Sequence, residues 1–242
     1  NITTGEGFII HTYHPYLYPE RPVNMFVNIN TRGPGRDMLL GALLARAYQL
    51  RQQTPNLKAR VFAQVPMTDG DLLAFYTDAG FQADDALDVV RISPPAARPN
   101  APMGYDLGRV PLTTQMELGG LVMRMNTYRM DVLQPAMVQR YMAMPHFLAL
   151  YMSRGQEIVG EIMWTGQGGM AKLISLYVLP NYRRLGLGKS LVAASMRMLG
   201  DQGVAEYEVD LVRRNIPQCR FAQACNATFV RTACLYPGLN YD

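Results

Sequence analysis

The sequence predicts a mixed α/β (α+β) chain of two related domains, on three observations. A short apolar strand pattern at Leu173 to Leu179 breaks at Pro180 into a basic, glycine-punctuated turn and then a helical pattern at Lys189 to Leu199. The same strand, turn and helix scheme occurs once before, within residues 24 to 92. Between the copies lies a proline-rich stretch with little periodicity, Ser93 to Pro111. The expected division is therefore 1–95, a linker at 96–115, and 116–242.

In the first copy, Met25 to Asn30 reads as a strand, 32 to 37 as a turn, and Met38 to Arg51 as a helix with an apolar stripe. Lys58 to Val65 predicts a strand, Asp71 to Ala79 a helix, and Ala86 to Ile92 another strand. The second copy opens with strand patterns at Leu118 to Asn126 and a short helix near Ala136 to Met144. A hairpin follows, Phe147 to Ser153 and Glu157 to Thr165 around Arg154-Gly155. After the main helix come a strand at Val204 to Val212, a helix near Pro217 to Cys225 and a strand near Thr228 to Leu235.

Composition narrows the function. The 242 residues are 49% hydrophobic, enough for one large core or two small ones. A net charge of +4, with no Lys/Arg-rich run, argues against nucleic acid. No stretch of about eighteen apolar residues is present, and no basic region followed by an apolar core opens the sequence given, so no membrane partner is expected and the protein is expected in the cytoplasm. The three cysteines, Cys219, Cys225 and Cys234, lack C-x-x-C spacing and are expected as free thiols. His11 and His14 have metal-like spacing without a third ligand nearby, so no metal is expected.

The turn carries the chemistry. Gly186 and Gly188 let the backbone approach a ligand and adopt positive φ, so N–H groups at the start of a helix converge on phosphate oxygens. Arg183 and Arg184 add positive charge at the same mouth. A G-x-G pair alone is expected about once in a chain this long, so the signal lies in strand, proline, arginine and helix together.

At these residues the chain resembles the GNAT-type N-acetyltransferases, whose acyl-CoA loop reads Arg or Gln, two residues, Gly, one residue, then Gly or Ala. Arg183-x-x-Gly186-x-Gly188 fits without a gap, and Leu176-Tyr177-Val178-Leu179-Pro180-Asn181-Tyr182 is similar to the exit of that family's fourth strand. Asp71 to Phe81 resembles the family's fourth helix, and the half-repeat resembles tandem, mycothiol synthase-like members. The resemblance implies two GNAT-like domains, each a mixed, mostly antiparallel sheet flanked by helices, with the fourth and fifth strands splayed. It implies acetyl-CoA, or another acyl-CoA, held by backbone groups at Tyr177, Val178 and Leu179. The loop residues Arg183, Arg184, Leu185, Gly186, Leu187, Gly188, Lys189 and Ser190 would hold the pyrophosphate side, with Asn215 also at the cofactor. Tyr177 is in addition a candidate catalytic group.

Two departures bear on activity. Lys172 stands where many relatives carry a basic Glu, and Ala222 where a Tyr often serves as acid. Replacement carboxylates are Asp210, on a strand whose alternation puts Glu206, Glu208 and Asp210 on one face, and Glu161. The plainer reading of that acidic face is a surface that is solvated or salt-bridged to Arg213 and Arg214. The first copy has Asp37 where the second small residue belongs, and its carboxylate opposes a phosphate, so that loop is expected to be structural. The implied activity is acetylation of a small-molecule amine, by a monomer or a homodimer. The rival reading is a non-catalytic acyl-CoA-binding protein.

Overall fold

The computed structural model describes residues 5–31, 33, 35–95, 100–129 and 131–242. They form two compact units. One contains the chain as far as Asp88 together with Leu211–Cys219 and Arg231–Asp242; the other contains Val89–Asp210 and Arg220–Val230. The units are thus not consecutive stretches, as the division at 96–115 expected, and residues 96–99 of that linker lie outside the described residues.

The first unit is built on a four-stranded sheet in the order β1-β2-β3-β12, from β1 (Glu6–Tyr13), β2 (Val23–Asn30), β3 (Ala59–Phe62) and β12 (Gly238–Tyr241). β2 and β3 are parallel, with Val23–Phe26 opposite Ala59–Phe62. Helix α1 (Arg36–Arg51) joins them and buries Leu40, Leu43 and Ala47, the three- and four-residue spacing of one helical face, on Met25, Val27 and Val61. Helix α2 (Gly70–Asp78) starts at Asp69, whose carboxylate accepts the Leu72 N–H at 3.0 Å. It adds Tyr76 to the same core.

β12 comes from the far end of the sequence and gives β3 its second neighbour. Buried Arg60 fixes it by donating to the Tyr236 carbonyl at 2.9 Å and the Asn240 side chain at 3.2 Å, while Asp84 balances the charge at 2.5 Å. A Cβ at residue 238 would lie 2.6 Å from the guanidinium carbon, so a side chain there would displace this guanidinium from its partners. This supply of a strand from the last residues is why a cut after residue 95 does not separate the units.

The larger sheet has the order β4-β11-β5-β10-β9-β8-β7-β6. Its strands are β4 (Val65–Pro66), β5 (Ala86–Arg91), β6 (Asp106–Arg109), β7 (Leu148–Arg154), β8 (Glu157–Gln167), β9 (Met170–Val178), β10 (Glu206–Val212) and β11 (Thr228–Leu235). Helices α3 (Gln115–Asn126), α4 (Pro135–Met142), α5 (Leu187–Gly200) and α6 (Ile216–Ala224) complete the chain. The unit boundary passes through β5, β10, α6 and β11. In the second unit Trp164 is fully buried, its indole N–H donating to Ser195 at 2.9 Å and its ring meeting Tyr207 edge-on.

Two expectations need correction. Leu118 to Asn126 is not a strand but most of α3. Thr114 accepts the Glu117 N–H at 3.2 Å and Glu117 accepts the Thr114 N–H at 2.9 Å, a reciprocal cap that commits the segment to a helix. Its buried residues, Leu118, Leu121, Val122 and Met125, follow helical spacing. The proline-rich stretch also contains a strand, β6, paired antiparallel with β7. Cys219, Cys225 and Cys234 form no disulfide among the described residues.

Candidate active site

In the second unit β9 and β10 form a fork. They run parallel and pair only over Met170–Leu173 and Glu206–Val209, although β9 continues to Val178. The local cause is a bulge: against β8, Met163 faces Ser175 but Trp164 faces Leu173, so Ile174 is an extra residue at the point where the ladder stops. Such a residue bends and twists its strand. The Ile174 carbonyl accepts from the Arg129 guanidinium instead.

Beyond the bulge, antiparallel pairing decides which backbone groups face the fork. The Leu179 N–H donates to the Val159 carbonyl at 2.8 Å. Since facing pairs alternate between hydrogen-bonded and open, the Tyr177 N–H also turns toward β8 while the N–H groups of Leu176 and Val178 turn into the fork. Of the three residues expected to meet pantetheine through backbone N–H groups, only Val178 is so placed. Tyr177 and Leu179 are not, because their N–H groups belong to the β8 ladder, and Leu176 is a donor that the sequence reading missed.

After β9 the chain turns through Pro180–Tyr182, and Arg184 takes a positive φ of 65°. Gly186, at φ 82° and ψ −5°, caps α5 in the left-handed conformation, with no side-chain cap. The first-turn N–H groups that follow, at Leu187, Gly188 and Lys189, have no acceptor within the helix by construction. Buried Leu187 and Ser190 anchor this turn while Leu185 and Lys189 stay exposed. A Cβ at Gly186 would meet nothing within 4 Å, so that glycine serves φ. One at Gly188 would lie 3.7 Å from Val178, an ordinary contact, so the fold itself does not forbid a side chain there. The bare Cα leaves room for a ligand at the positive end of a helix, which fits a pyrophosphate.

The structure joins Glu161 and Tyr177, neighbours across β8 and β9. The Glu161 carboxylate is fully buried, and Arg124 of α3 grips it through Nε at 3.0 Å and Nη2 at 2.6 Å. The Tyr177 hydroxyl donates to Oε2 at 2.6 Å. Burial first, then the adjacent carboxylate, pushes the Tyr177 hydroxyl well above the ordinary tyrosine range. Tyr128 stacks on Tyr177 with centroids 5.2 Å apart, and Arg183 lies 5.7 Å from the Tyr128 centroid. The sequence reading missed Arg124 and Tyr128, since a strand reading of 118–126 hides which residues of α3 share a face.

Asp210 is elsewhere. It is the first residue of β10 beyond the ladder, ion-paired to Lys172 at 2.7 Å, with Oδ1 buried and lacking a hydrogen-bond partner. The acidic face is salt-bridged, though to other cations than Arg213 and Arg214: Arg91 meets Glu206 at 2.8 Å and Glu208 at 3.9 Å. Arg213 instead grips Asp88. Asn215 falls in the first unit, where its side chain accepts the Gln218 N–H at 3.2 Å and so caps α6. Ala222 is buried on that helix.

Comparison with known proteins agrees with this geometry. Residues 123–227 match the model of the acetyltransferase (GNAT) family. No curated protein sequence is significantly similar to the chain. Among solved structures, a GCN5-related N-acetyltransferase from Sphaerobacter thermophilus is similar with a TM-score of 0.56 at 15% identity, covering 97% of this chain and 76% of that one. A tandem GNAT protein from the clavulanic acid biosynthesis pathway is similar with a TM-score of 0.51 at 15% identity, covering 90% of this chain and 75% of that one. At such identities the likeness establishes the fold. Residues 123–227 are similar to the GNAT acetyltransferase family, and the chain around them has the GNAT fold.

Proposed function

We propose that the second unit binds acetyl-CoA and transfers its acetyl group to the amine of a small molecule. One observation carries this reading: the fork turns the Leu176 and Val178 N–H groups outward on the strand that leads into the left-handed Gly186 cap of α5. Acetyl-CoA would supply a thioester and a pyrophosphate. The pyrophosphate is held by the N–H groups of Leu187, Gly188 and Lys189 with the charge of Arg184, and the two fork donors face the oxygen on which charge develops. Asp210, through its unpartnered Oδ1, takes the proton that the attacking ammonium must lose, directly or through water. The acetyl carbon gains a bond to nitrogen and loses its bond to sulfur. The departing thiolate takes its proton from solvent, since a thiol of ordinary pKa about 8.5 leaves without an acid. Glu161, saturated by Arg124 and Tyr177, holds those two side chains in place.

Among the described residues no helix is long and apolar enough to cross a membrane, and we take the reaction to be cytoplasmic. Release of free thiol from acetyl-CoA across a panel of amines tests the reading. In the Asp210→Asn variant, turnover at saturating amine should fall about 100-fold with acetyl-CoA affinity unchanged. Binding without thiol release for any amine would favour a non-catalytic acyl-CoA-binding protein. An unchanged rate in Asp210→Asn would remove Asp210 as the base.

A further inference from the structure

We propose that Arg183 belongs to the fork and not to the pyrophosphate cradle: it is a positioning residue that fixes the Val178 peptide edge. This rests on the reading of the fork and loop as an acyl-CoA site. Val178 faces Gly160 in an open pair of the β8 ladder, so its carbonyl and its N–H both point to the side where β10 has departed. That leaves an acceptor beside the donor that the thioester needs. Arg183 removes it, donating Nε to the Val178 carbonyl at 2.9 Å. Its guanidinium lies near the face of Tyr128, which is stacked on Tyr177, the neighbour of Val178. The head group thus meets the strand it serves on one side and Tyr128 on the other.

Arg184 is exposed like Arg183 but differs in its backbone, which is left-handed at φ 65°, in the turn itself, two residues before the Gly186 cap. The two neighbouring arginines therefore have separate tasks. Arg184 supplies charge to a phosphate, whereas Arg183 leaves the fork edge presenting donors at Leu176 and Val178.

Binding of CoA and of pantetheine, which lacks the pyrophosphate and nucleotide, separates the roles by calorimetry. Arg183→Ala should weaken both ligands by the same factor, about tenfold. Arg183→Gln, whose amide can still donate to a carbonyl but carries no charge to a phosphate, should restore most of the loss. Arg184→Ala should weaken CoA and leave pantetheine unchanged. Loss confined to CoA in Arg183→Ala, no restoration by Gln, or no loss at all would overturn the proposal. A parent that binds neither ligand would instead remove the acyl-CoA reading beneath it, and circular dichroism of each variant shows whether a loss reflects unfolding.

Discussion

The two strand–turn–helix copies share their framework and differ at the ligand end. In both, a parallel ladder of four residue pairs is followed by an extension of the loop-bearing strand: Val23–Phe26 with Ala59–Phe62 in one, Met170–Leu173 with Glu206–Val209 in the other. Both extensions lead to a glycine that caps a long helix. Gly186 sits at φ 82°, but Gly35 sits at φ −80°. Two residues on stand Gly188 in one copy and Asp37 in the other. The cation of the first loop, Arg36, lies 3.8 Å over the Phe75 ring; Arg32 and Pro34 of that loop lie outside the described residues. Packing requires the strands and helix, because they carry the buried apolar faces. Nothing in packing requires a left-handed cap or a bare second position, so these features set the second loop apart as the proposed anion site.

The largest expected effect concerns the framework. If each unit needs the segment it takes from the other end of the sequence, fragments 1–95 and 96–242 should both fail to fold alone. The first would lack β12 and the Asn240 partner of Arg60; the second would lack the Ile92 N–H bond to the Tyr207 carbonyl at 2.9 Å and the strand that leads to it. Heating each fragment should show no cooperative transition, and mixing them should restore one. A lone 96–242 fragment with parent-like cooperative unfolding would break this.

Next comes the second position of the loop. Gly188→Asp copies the first loop into the second, and the extra Cβ meets only an ordinary contact with Val178. The fold should survive. Acetyl-CoA affinity should fall about 100-fold or more, as a carboxylate there faces the ligand's own negative charge. Unchanged affinity would mean that the phosphate lies elsewhere.

Most of this framework was legible in the sequence, and the reasons are local. Strands such as Leu173 to Leu179, and helices such as Lys189 to Leu199, declare themselves by the period of their apolar residues. So does the loop, through Arg183, Gly186 and Gly188. What stayed hidden depends on register or on distant chain. The strand expected at Leu118 to Asn126 is helix because the Thr114 and Glu117 cap, which lies ahead of that span, starts α3. The turn of Tyr177 and Leu179 toward β8 follows from hydrogen-bond alternation, which a single strand does not display. Arg124 meets Glu161 across 37 residues, and Lys172 meets Asp210 only because β10 lies in parallel register with β9. The role of β12 could not be read at all, since nothing in Gly238 to Tyr241 names β3 as its partner.

A smaller contrast tests the caps themselves. Gly186→Ala forces a Cβ into a left-handed position and should cost about 1–2 kcal/mol of stability. Gly35→Ala keeps an ordinary φ with nothing within 4 Å of the new Cβ, and should stay within about 0.5 kcal/mol of the parent. Equal costs in chemical denaturation would show that φ is not what distinguishes the two glycines.

The smallest expected effect is the sharpest for the comparison, because it asks whether Asp37 alone silences the first loop. Replacing it with glycine removes the carboxylate and restores the small second residue, yet the preceding cap still sits at φ −80° and the Arg36 guanidinium still lies over Phe75. The backbone N–H groups then lack the left-handed turn that gathers them on an anion. Asp37→Gly should therefore bind acetyl-CoA once per chain, the stoichiometry proposed for the parent. Its only change should be a loss of about 1 kcal/mol of stability, from a helix glycine and a vanished charge at the positive end of α1. Calorimetry showing a second site in this variant, or cofactor density at Gly35 in its crystals, would prove that the side chain and not the backbone separates the two loops.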